Sequence, residues 1–102
     1  MTQDELEMRF ELTRQAIATW NAETARLVAA ASERQLTGER DDDRVAWANK
    51  ALQSICAERD ALIEAATAVP DRSDDLSRGI QIALNELDLV GQTIAAQLEK
   101  LQ

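Results

Sequence analysis

Histidine and tyrosine are absent from this chain, cysteine and proline occur once each, and glycine occurs three times in 102 residues. Without histidine the chain lacks the side chain that most often serves as a general base near neutral pH, and also a principal zinc ligand. The single Cys56 has no partner for an internal disulfide and no imidazole to activate it as a nucleophile. Carboxylates remain for acid–base work, but nothing in the pattern signals a pocket that would perturb one. No enzyme, cofactor or metal site is therefore expected. Asp41-Asp42-Asp43 is not a calcium loop, because it lacks the alternate spacing, central glycine and distal glutamate of that motif.

Positive charge is also scarce. Eleven lysines and arginines stand against nineteen acids, a formal net charge of −8. Nucleic acids and anionic membranes are negative surfaces that require a basic patch, so direct binding to either is not expected. The same imbalance would attract a partner protein with a basic surface. There is no basic amino-terminal region and no continuous apolar run, so neither a leader peptide nor a membrane span is expected. The expected setting is the cytoplasm of a bacterial cell or of a phage-infected host.

What remains is the vocabulary of helices, with 45% hydrophobic and 29% charged residues but only 3% aromatic. The clearest repeat runs from Val45 to Val69. Val45, Ala48, Leu52, Ile55, Leu62, Ala66 and Val69 alternate steps of three and four, a helical period. Arg59 fills the one slot in that series that is not apolar. The spacing predicts it as a polar register residue inside the core, near Trp20 and Ala83, with its guanidinium over the indole. Cys56 and Ile63 are expected to widen the buried stripe.

Boundaries follow from capping chemistry. Thr2-Gln3-Asp4-Glu5 has the form of a capping box, and Gly38 offers a C-cap, which places the first helix at about 3–36. Its core face reads Leu6, Phe10, Ile17, Trp20, Leu27 and Ala31, with Thr13 and Thr24 between them. The linker Gly38-Glu39-Arg40 and the Asp41-Asp42-Asp43 cap lead into a second helix at about 42–69, which Pro70 ends. Asp71 or Ser73 then caps a third helix at about 72–101, whose core face is Leu76, Ile80, Ala83, Leu87, Val90, Ile94, Leu98 and Leu101. Gly91 lies on that core side, where a close backbone approach is expected. The whole is a single all-α domain over 1–102: three long antiparallel helices in an up-down-up bundle or coiled coil, about 45 Å long and open to further association.

Function is then expected at the surface. Met8, Leu12, Trp47, Ile82 and Leu89 fall outside the core stripes and form a candidate partner interface. An up-down-up path also brings Asp4, Glu5, Glu7, Asp71, Asp74 and Asp75 to one pole as a candidate acidic docking surface, although acids in a first helical turn also serve the helix dipole. The leading expectation is a non-catalytic protein–protein interaction module, acting as adaptor, regulator, chaperone or assembly subunit through its helix faces. Two alternatives differ in class. One is an acidic inhibitor, such as a phage-encoded nucleic-acid mimic filling a basic groove of its target; the other is a self-assembling coiled-coil subunit, a homo-oligomer.

Overall fold

A computed structural model describes residues 1–38 and 42–102 and folds them into three helices: α1 (Gln3–Thr37), α2 (Asp42–Thr67) and α3 (Asp74–Leu101). The expected linker residues Glu39 and Arg40 and the expected cap Asp41 lie outside the described residues. The three helices pack side by side as a rod of 53 × 18 × 16 Å. Its length exceeds the expected 45 Å because α1 alone has 35 residues, about 52 Å at 1.5 Å per residue.

Each terminus that the sequence marks is built as marked, with small shifts. Thr2 and Glu5 close the capping box of α1, and Gly38 ends it at φ 74°, its N–H donating to the Arg34 carbonyl at 2.7 Å. That left-handed conformation favours glycine. α2 stops at Thr67, two residues before the expected end, because Pro70 biases Val69 away from helical geometry. Arg72 secures the stop by donating from Nη1 to the carbonyls of Ala66 at 2.9 Å and Val69 at 3.1 Å. Ser73 caps α3, accepting from the Leu76 N–H, so Asp71 is left out of that role.

α1 and α3 run parallel and are tied at both ends. The Ser73 N–H donates to Gln3 Oε1 at 3.1 Å, and Arg34 Nη2 donates to the Gln102 carbonyl at 3.3 Å. Between these ties Leu6, Ile17, Leu27 and Ala31 of α1 meet Leu76, Ile80, Ala83, Leu87, Val90, Ile94 and Leu101 of α3 in one continuous core. Phe10, Trp20 and Leu98 are half-buried against it.

α2 corrects two expectations about its stripe. Ala51, Glu58 and Ala65 turn inward on the α1 side, whereas Cys56 and Ile63 are exposed. The buried face widens on the opposite flank from the expected one: the helix must meet two neighbours, and its 51/58/65 line faces α1 while its 52/59/66 line borders α3. Arg59 belongs to the second line. It is half-exposed and donates from Nε to Asp88 Oδ1 at 3.0 Å, so it is an edge residue of the α2–α3 seam and not a core register residue over Trp20.

The polar slot inside the bundle is filled by Glu58. Its Oε1 accepts from Arg9 Nη2 and, at 2.6 Å, from the hydroxyl of Thr13, which is fully buried. The Thr13 hydroxyl has one proton, and the charged, nearer carboxylate is its better acceptor than the Arg9 carbonyl at 3.1 Å.

Candidate functional site

The exposed apolar side chains of α3 stand beside the seam with α1. Periodicity puts Ile82 and Leu89 well off the core face, and they are 57% and 65% exposed. They are not isolated. Ile82 lines a shallow cleft of about 310 Å³ with Phe10, Arg14, Gly79, Ala83 and Glu86. Leu89 lines a second of about 190 Å³ with Asn21, Thr24, Glu86, Val90 and Thr93. Glu86 borders both, so the two form successive parts of one groove between α1 and α3.

The floor at the first cleft exists because residue 79 has no side chain. A Cβ there would lie 2.8 Å from Phe10 Cζ, a distance that forces movement. The Phe10 ring rests on the α3 backbone at this point, and the Arg14 guanidinium stands 5.8 Å from the ring centroid. Arg14 also pairs with Glu11 at 3.5 Å. The close approach expected at Gly91 is found at Gly79 instead: a Cβ on Gly91 would meet only Ile55 Cγ2 at 3.7 Å, ordinary contact.

The five candidate interface residues do not share a surface. Ile82 and Leu89 face the α1–α3 groove, whereas Trp47 lines clefts with α1 residues on the opposite flank, Leu27 and Arg26 in one and Trp20 in the other. Trp47 is also half-buried against the core, which corrects its expected position outside the core stripes. Met8 and Leu12 are exposed, at 68% and 53%, and line none of these clefts. A sequence periodicity fixes the angle of a residue on its own helix but not which neighbour flanks that angle, hence the mixture.

The six acids of the pole do converge, since the Gln3–Ser73 bond joins the starts of α1 and α3. All are exposed. Three are engaged locally: Glu5 in the capping box, Glu7 with Gln3 Nε2 at 3.4 Å, and Asp75 with Arg78 at 3.2 Å. Asp4, Asp71 and Asp74 make no side-chain hydrogen bond or ion pair among the described residues. The nearby arginines are turned elsewhere, Arg9 to Glu58 and Arg72 to the end of α2.

Among the described residues no three metal-ligating side chains cluster, and no helix is long and apolar enough to cross a membrane. Sequence reasoning missed Glu86, Gly79 and Phe10 as parts of a surface. The signal for Glu86 was present, because it lies four residues after Ile82 and three before Leu89, on the same stripe. The chain matches no protein-family model, and comparison with curated proteins and with solved structures finds no relative.

Proposed function

We propose that this protein is a non-catalytic interaction module that binds another protein through a helix face, and that the face is the α1–α3 groove. The observation that carries this reading is the pairing of two large exposed aliphatics, Ile82 and Leu89, with the recessed floor made by Phe10, Gly79, Ala83 and Val90. Scattered single apolar residues are ordinary on a surface; two of them two helical turns apart along one groove match what a docked helix requires. Each is already partly covered, so burying the remainder would contribute roughly 1–2 kcal/mol before the costs of association.

Ile82→Lys with Leu89→Lys tests the reading. Both residues are exposed, so the double variant should keep the helicity and melting temperature of the wild type while losing the protein that co-purifies with it from its host. Retention of that partner by a folded double variant would remove the groove from consideration. The acidic pole supports a second reading, a charge-driven inhibitor of a basic protein, because Asp4, Asp71 and Asp74 have no side-chain partner among the described residues. Replacing Asp71, Asp74 and Asp75 by asparagine discriminates the two: binding through the pole should fall more than tenfold at low salt and the deficit should shrink at high salt, while binding through the groove should change far less.

A further inference from the structure

We infer that the occupant of the α1–α3 groove is an amphipathic helix of a partner protein that presents a lysine or arginine between two apolar residues, the cation meeting Glu86. This rests on the groove being the docking face, and it adds the chemistry of what docks. Ile82 and Leu89 are seven residues apart, about 10 Å along the helix axis, so a helix laid in the groove would meet them with apolar residues at the same spacing. Glu86 stands between them, bordering both clefts, and has no ion-pair or hydrogen-bond partner among the described residues. A helix packed over this stripe would strip water from the carboxylate, and an apolar residue opposite would leave it uncompensated. A cation opposite restores its partner.

The groove has one cation of its own, Arg14, which lines the first cleft but pairs with Glu11 and not with Glu86. It is also held by Phe10, and Arg78, farther toward the start of α3, pairs with Asp75. A second copy of the chain is disfavoured by the same residue. An isologous pairing of two α3 stripes sets Ile82 against the Leu89 of the other copy, which brings the two Glu86 carboxylates together beside the symmetry axis. Each copy also carries a net charge of −8. Charge thus selects against self-association here and for a basic partner.

The test uses two synthetic helical peptides, identical except at one position: leucines at a spacing of seven flank either an arginine or a glutamate. Their binding to the full chain is read by fluorescence anisotropy, with circular dichroism confirming that each variant is folded. The arginine peptide should bind at least tenfold more tightly than the glutamate peptide. Glu86→Lys should invert that order, and Ile82→Ser with Leu89→Ser should abolish binding of both. Equal binding of the two peptides, binding of neither, or an order unchanged by Glu86→Lys would overturn the inference. Light scattering separates this from failure of the docking face itself: a wild-type dimer that dissociates in the Ile82→Ser, Leu89→Ser variant would overturn the basic occupant while retaining the groove as an interface.

Discussion

Gly79 and Gly91 sit in the same helix and predict opposite consequences for the same substitution. Glycine inside a helix costs about 1 kcal/mol relative to alanine, so Gly91→Ala, whose new methyl would only touch Ile55 at 3.7 Å, should raise stability by up to that amount. At Gly79 the methyl would displace the Phe10 ring from the groove floor, and the lost packing should offset the backbone gain. Urea denaturation should place Gly79→Ala at least about 1 kcal/mol below Gly91→Ala. Equal stability of the two would mean that the ring leaves its seat freely. The sequence signalled glycines in a helix and the face of each, but a close approach depends on which side chain arrives from the neighbouring helix. That partner, Phe10, is 69 positions away along the chain.

Glu58 and Arg59 exchange the roles that periodicity suggests for them. Adjacent residues on α2 face different neighbours, so an error of one position moves a charge from the interior of the bundle to its edge. Glu58 is the more enclosed, at 18% side-chain exposure against 43% for Arg59. Glu58→Ala should therefore cost about 1–3 kcal/mol, since it takes the carboxylate from the part-buried Arg9 guanidinium and leaves the buried Thr13 hydroxyl only the Arg9 carbonyl at 3.1 Å. Arg59→Leu removes a half-exposed ion pair and should change stability by less than about 1 kcal/mol. Reversal of that ranking in equilibrium unfolding would restore Arg59 to the core.

At the scale of the helices, the sequence is most legible where local chemistry decides and least legible where neighbours do. The capping box at Thr2, the left-handed Gly38 and the Ser73 cap are short-range features, and each ends its helix within two residues of the position that the pattern marks. The core face of α3 was equally plain, because one helix packed into the angle between two others needs a single broad apolar stripe. The groove was only half legible: the angles of Ile82 and Leu89 follow from the 100° step, whereas the facing Phe10 depends on how α1 is rotated and staggered. Arg72 is a further feature of longer reach, its Nη1 adding a charged donor to the Ala66 and Val69 carbonyls, each of which also accepts one backbone N–H. Arg72→Ala should lower stability by about 1–2 kcal/mol, with Arg72→Lys recovering part of it, because an ammonium keeps the charge near the helix end but not the planar donor set. Thermal melts of the two variants measure the difference.

For the molecule as a whole, elongation and charge act together. The Cα radius of gyration is 16.0 Å, against about 13 Å for a compact domain of this length, so the net charge of −8 is spread along a rod and is partly relieved by it. Self-repulsion still opposes the folded state, because unfolding lets the acids move farther apart. The opposing attractions seen among the described residues are mostly exposed. Arg14–Glu11, Arg26–Glu23 and Arg78–Asp75 are i,i+3 pairs at the surface, each contributing at most a few tenths of a kcal/mol. Salt screens both sets over a Debye length that falls from about 20 Å at 0.02 M to about 4 Å at 0.5 M, and the excess of repulsive pairs should decide the sign. Raising sodium chloride across that range should increase the melting temperature by a few degrees, as expected for a gain of about 1 kcal/mol in a domain of this size. A melting temperature that falls with salt would show that the ion pairs outweigh the repulsion, with Arg9–Glu58, the most enclosed of them, the first to test by substitution.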